Sequence, residues 1–248
     1  MVCIIKLRCN FTMLHMADLF SETTIRDSFR DVIKLLAVFF KPLVTEIPEP
    51  EICKKIRPSC FQTNITKNCT MSVDCTDIKI RNTRKDFGKL YATRSNYRNM
   101  QSLKCIIAVL PSNCITFCSS FFPGRISDKQ ICVASGFIEK LQAGHKLAVD
   151  RGFLIHDILP EGVTLCMPAF KHADDQFTHQ QVFRSLVVAS ARTHVERANE
   201  RLKNFKILND FPYWYLDIAS DILIVICGLV NMTSPLQAEN IRPLSELF

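Results

Sequence analysis

Apolar residues recur at roughly helical spacing through residues 14–40, at Ala17, Phe20, Ile25, Phe29, Val32, Ile33 and Leu36. Ser21 is placed to cap the second of two short helices, its hydroxyl accepting from an amide of the first turn. Pro42, Pro48 and Pro50 then punctuate residues 41–57, and the pattern predicts a linker there. Beyond it the period changes. Residues 71–80 (MSVDCTDIKI) are apolar on both faces, as a central strand is. Residues 104–110 and 114–119 flank Pro111-Ser112-Asn113, a strand–turn–strand signal. Ser127 with Gln130 has the form of a capping box and opens a helix through Ala134 that Gly136 can end. Short strands follow at 146–149, stopped by Asp150-Arg151-Gly152, and at 163–167, stopped by Pro168. Thr178 with Gln181 is a second capping box, opening a long helix to about Leu208, and a last apolar helix covers roughly 216–230. This order predicts an α/β sheet with helices packed on it.

Composition narrows the picture without deciding it. Of the 248 residues 48% are hydrophobic, enough for a sizeable core and unlike a disordered chain. The formal charge of +7 favours an anionic partner such as nucleic acid. Twelve cysteines invite a metal or disulfide reading, but there is no CxxC. Cys105, Cys166 and Cys227 sit in apolar runs, where a thiol acts as a small hydrophobe. Reduced thiols in an intracellular compartment are expected, with the sequons at Asn10, Asn64, Asn68 and Asn231 chance matches. Lys6 and Arg8 interrupt the N-terminal apolar stretch, which argues against a signal peptide. The apolar run 222–230 is too short for a membrane span, so no membrane partner is expected.

Three acidic residues occupy positions that chemistry would choose. Asp74 lies inside an apolar strand, where a carboxylate is costly unless compensated. Asp150 follows a strand at its carboxyl end, where ligand sites of open α/β sheets lie. Glu196 is on the long helix, in a polar stripe with Arg192, Asn199 and Lys203. Converging carboxylates repel one another, and oxygen-seeking cations such as Mg²⁺ or Mn²⁺ relieve that repulsion. A pair of such ions can activate water and stabilise the leaving oxygen of a phosphodiester. A plainer reading stands beside this one. Asp74 could be satisfied by Thr76 or a lysine, Asp150 could be a turn residue, and Glu196 could pair with Arg192.

The wording around these acids resembles the DDE superfamily endonucleases of Harbinger-like transposases. The matching phrases are VDCTDIKI (73–80), SNYRNMQSLKCIIAV (95–109), PGRISDKQI (123–131), AVDRGF (148–153), ILPEGVTLCMPAF (158–170), ARTHVERANERLKNFKIL (191–208) and GLVNM (228–232), in family order over about residues 40–235. The resemblance implies an RNase H-like mixed sheet flanked by helices. It implies that Asp74, Asp150 and Glu196 are catalytic, metal-binding acids for Mg²⁺ or Mn²⁺. Asp128, in the SDK phrase, is a family landmark read here as structural, because Ser127 caps a helix there. The chain departs from the family pattern at Asp77 (usually Glu), Asn82 (often Pro) and Arg94 (usually aromatic). Residues 14–36 resemble the family's helix-turn-helix, with SETTI starting its recognition helix, but the turn is about two residues short and lacks a glycine.

The expected organisation is therefore a small helical segment at 1–40, a linker at 41–69, a nuclease core at 70–235 and a tail at 236–248. The expected function is DNA cleavage by a two-metal mechanism, with Arg192, Arg197 and Lys203 on the DNA backbone. The alternative is a catalytically inactive descendant that binds DNA or a protein. A separate DNA-binding partner protein and a nuclear, or else cytoplasmic, location complete the expectation.

Overall fold

The structure, a computed structural model, describes residues 2–11, 21–53, 61, 63–81, 94–95, 100–169 and 176–233. The first of the two anticipated N-terminal helices, the position Asn82 and the tail 236–248 lie outside these residues.

The centre is the strand β1 (Met71–Lys79), buried along most of its length. It pairs antiparallel with β3 (Met100–Val109) from Ser72↔Val109 to Lys79↔Ser102. On its other side it runs parallel to β6 (Lys146–Ala148), which runs parallel to β7 (Thr164–Cys166). The far edge of β3 carries three short antiparallel strands: β2 (Arg94–Ser95), β4 (Ile115–Cys118) and β5 (Phe122–Pro123). The order β4-β3-β1-β6-β7, with only β3 opposed to its neighbours, is the mixed sheet of an RNase H-like α/β fold.

Alternation along the strands divides the core between two faces. Val73, Ile106 and Ala108 join Ile131, Cys132 and Phe137 under one face. Ile78, Cys105 and Ile107 join Val195, Ala198, Leu202 and the C-terminal helix under the other. Among the described residues the α-helices are α1 (Val2–Cys9), α2 (Glu22–Val44), α3 (Pro50–Cys53), α4 (Asp128–Ala134), α5 (His179–Lys203) and α6 (Ala219–Asn231). Both capping boxes form, Ser127 with Gln130 on α4 and Thr178 with Gln181 on α5. Ser21 caps α2, accepting from the Thr24 amide at 3.1 Å.

Two boundaries differ from the sequence reading. The break expected at Lys41 does not occur: α2 continues through Pro42 to Val44. A proline there costs the bond to the carbonyl of Val38, which lies on the solvent side, its residue 75% exposed. Burial of Phe40 and Val44 holds the last turn in place. The long helix ends at Lys203 rather than Leu208, and a separate 3-10 turn follows at Lys206–Leu208.

α6 packs along α2, and Gly228 sets their separation: a Cβ there would lie 2.2 Å from Phe40 Cδ1. The 3-10 turn Tyr213–Ile218 and α6 together are long and apolar enough to cross a bilayer. Here Ile222, Leu223, Val225, Ile226 and Cys227 are wholly buried core. The cysteines within the described residues are free thiols, and burial pushes those of Cys105 and Cys227 well above the ordinary thiol range.

Candidate active site

The parallel pairing of β1 with β6 brings two of the three acids together. Its register joins Met71 to Leu147 and Ser72 to Ala148. Carried two residues further, it sets Asp150 beside Asp74. Both line a cleft of about 680 Å³ at this end of the sheet, together with Lys104, Asp128 and Arg192. Asp128, at the start of α4, forms an ion pair with Lys104 at 2.5 Å across the cleft floor. That contact fits the structural role assigned to it.

Asp74 points to the α5 side of the sheet. Two positions earlier on that face, the Ser72 hydroxyl donates to the Ala191 carbonyl of α5 at 2.8 Å and fixes the helix against the strand. Asn199, two turns further along α5, then donates its Nδ2 to Asp74 Oδ2 at 3.0 Å. Burial drives the Asp74 carboxyl above the usual range. The charge of Arg192 and a hydrogen bond from the Cys75 amide pull it down, while Asp128 and Asp150 raise it further. The expected cost of a carboxylate in this strand is therefore present, and Thr76 is not what offsets it.

Glu196 reaches the site through an intermediary. Arg192, one turn earlier on α5, places Nη1 3.5 Å from Asp150 Oδ1 and Nη2 3.4 Å from Glu196 Oε1. Its side chain is 16% exposed, against 56% for Asp150 and 54% for Glu196. Glu196 thus makes the pair with Arg192 that the plainer reading named. The guanidinium stands between the two carboxylates. Among the described residues no group of three His, Cys, Asp or Glu side chains is gathered closely enough to hold one ion.

The donor chemistry nonetheless fits a hard cation. Asp74 and Asp150 supply carboxylate oxygens, and beside them Asn199 Oδ1 is buried with no hydrogen-bond partner. An orphaned acceptor next to the desolvated Asp74 carboxylate is costly as it stands, and a cation would satisfy it.

The basic residues expected on the DNA divide. Arg192 and Lys203, eleven positions apart, share a helix face. Arg192 is occupied by the acids, as described above. Arg197 is turned to another side of α5, where its charge acts on the buried His194. Sequence reasoning read Asn199 only as part of a polar stripe. The stripe of Arg192, Glu196 and Asn199 was read from their spacing, but not that it faces β1 and brings the Asn199 amide onto Asp74.

An RNase H-like sheet with one aspartate inside its central strand, a second just past the end of the adjacent parallel strand and a long helix crossing them defines the class of this molecule. Residues 73–231 match the family described as DDE superfamily endonuclease, and the chain belongs to that family. The match runs from the residue before Asp74 to the end of α6, so Asp150, Arg192, Glu196 and Asn199 all lie within it. No curated protein and no solved structure matches the chain.

Proposed function

We propose that this chain is a metal-dependent DNA nuclease of the Harbinger-like transposase type. Asp74, Asp150 and Glu196 are its catalytic acids and would hold Mg²⁺ or Mn²⁺. The observation that carries the reading is the meeting of Asp74, inside β1, with Asp150, just past the end of the parallel strand β6, beside the unsatisfied Asn199 acceptor. When bound, the metal supplies an activated water and a counter-charge for the departing oxygen of a phosphodiester. The chain's own groups do the rest. Asn199 orients Asp74, the Lys104–Asp128 pair shapes the cleft floor, and Arg197 and Lys203, with Arg192 once it is released, attract the DNA backbone. A separate DNA-binding protein supplies target recognition, and the chain acts in the nucleus.

A second reading, an inactive descendant that binds DNA or a protein, is favoured by one observation. Arg192 already stands between Asp150 and Glu196 and offsets part of their charge, so the acids have a partner without any ion.

Nicking of supercoiled DNA in Mn²⁺ separates the two. Wild-type protein should nick, and Asp74→Asn, Asp150→Asn and Glu196→Gln should each abolish nicking while the fold persists. A wild-type protein that binds DNA but never cuts it selects the inactive reading. Full activity in Glu196→Gln alone would move the third ligand elsewhere, with Glu200 on the same helix examined next.

A further inference from the structure

A second cleft, of about 610 Å³, lies where the N-terminal helices meet the core. Its wall carries four cations, Lys6 from α1, Arg26 and Arg30 from α2 and Arg81 beyond β1, and a single carboxylate, Glu22. Trp214 and Tyr215 complete it.

Two of the cations are already balanced. Arg30 pairs with Asp217 and also donates to the Trp214 carbonyl at 2.9 Å, while Arg81 Nε meets Asp210 Oδ2 at 2.7 Å. The other two are not. Arg26 has only its helix neighbour Asp27, at 4.0 Å. Lys6 is 2% exposed, and its ammonium donates to Asn10 Oδ1 at 3.2 Å and the Phe11 carbonyl at 2.5 Å, both neutral. Burial, with the charge of Arg81 added, pushes its pKa down to about 8. A buried ammonium with neutral partners and cationic neighbours is a site that lacks an anion.

An independent observation points the same way. Tyr215 is wholly buried, and although the Trp214 indole acts on its oxygen, the hydroxyl proton has no acceptor. The ring is flanked by the Lys6 ammonium at 5.8 Å and the Arg30 guanidinium at 5.5 Å. An orphaned donor, an uncompensated ammonium and a spare guanidinium on one cleft match a tetrahedral oxyanion, which accepts from several donors at once.

From this geometry we propose that the Lys6–Arg26–Tyr215 cleft binds a phosphoryl group, carried by a nucleic-acid strand or by a free phosphate. It does not rest on the nuclease reading: it uses none of Asp74, Asp150 or Glu196 and needs no metal.

The chain contains a single tryptophan, Trp214, and it lines this cleft, so its fluorescence reports the site directly. The whole protein, metal-free, is titrated separately with inorganic phosphate and with a short single-stranded oligonucleotide. A saturable change in Trp214 emission is expected, with Arg26→Ala and Lys6→Met each weakening the binding about tenfold. Saturation by inorganic phosphate as well as by oligonucleotide supports a site for free phosphate. Saturation by the oligonucleotide alone supports a strand-borne phosphate. Arg26 is exposed, so its variant keeps the test decisive if Lys6→Met fails to fold. No saturable change with either probe, or a change that Arg26→Ala leaves intact, overturns the proposal. The titration is read on metal-free protein without any cleavage step, so this site and the nuclease reading fail separately.

Discussion

Arg192→Met tests whether the guanidinium is a resident counter-ion that an entering metal must expel. At about 3.5 Å and an effective dielectric of about 20, each contact to Asp150 or Glu196 has a gross Coulomb energy of about 5 kcal/mol. Both carboxylates are more than half exposed, so water returns most of this, leaving a net of about 0–1 kcal/mol per pair. The metal-free variant should therefore lose no more than about 2 kcal/mol of stability. Its response to metal should move the other way. Wild-type protein must break both contacts before a dication reaches those oxygens, whereas the variant presents them free. A net saving near 1.4 kcal/mol makes binding about tenfold tighter. By mass action that adds about 1.4 kcal/mol at high metal concentration, or about 2–4 °C in melting temperature for a chain of this size. Melting curves of both proteins across Mn²⁺ and Mg²⁺ titrations read this directly, with Asp150→Asn as the variant that should respond least. An Arg192→Met protein that responds to metal less than wild type would refute the reasoning and make Arg192 a support for the ligands.

Two further predictions concern the scaffold. Gly228→Ala gains about 1 kcal/mol of helix propensity but drives a Cβ into Phe40, an overpacking cost of about 1–3 kcal/mol. Net destabilisation in denaturant melts is expected, and a more stable variant would show that α2 and α6 are not so closely packed. His194 is buried, and its ring nitrogen hydrogen-bonds Asn113 Oδ1. Burial, then the charge of Arg197, pushes its pKa down to about 4 from 6.5. The unfolded chain takes up a proton that the folded chain resists, so this contribution is intact above about pH 6.5 and is lost as pH falls towards 4. The loss is on the order of 3 kcal/mol. His194→Gln should flatten that slope, and an unchanged acid profile would assign it to other groups.

The parts of the fold legible in the sequence are those fixed by neighbours along the chain. Ser127 with Gln130 and Thr178 with Gln181 close their boxes within one turn, and β1 announced itself by an apolar run on both faces. Helix α1 escaped notice because Lys6 and Arg8 interrupt its apolar pattern. Lys6 is buried all the same, its ammonium held by the neutral acceptors Asn10 Oδ1 and the Phe11 carbonyl with its charge left unbalanced. Pro42 was read as a stop because a sequence does not show that Phe40 and Val44 are held by α6. Asp74, Asp150 and Glu196 were singled out by position and by family resemblance, and the Arg192–Glu196 pair was one of the readings left open, but the contact of Arg192 with Asp150 was not foreseen. Arg192 carried the same helical spacing whether it faced DNA or the carboxylates, and only the distance from α5 to the end of β6 chooses between them.

That choice bears on how the site works. A helix carrying Arg192, Glu196 and Asn199 over β1 and the end of β6 presents a cation to Asp150 and an amide to Asp74, with Glu196 held on the cation's other side. In the metal-free protein the cation answers the repulsion that the acids create, so the fold tolerates a desolvated Asp74 without an ion. On the proposed metal-dependent reading the same guanidinium competes with the ion and, once displaced, lies on the cleft wall where a phosphate would approach. Metal entry and DNA binding are coupled on this view, because each favours the arginine away from the carboxylates. Linkage requires the coupling to be reciprocal, so a metal that tightens DNA binding must itself bind more tightly when DNA is present. Arg192→Met should remove both effects together, whereas a purely structural arginine would remove neither selectively.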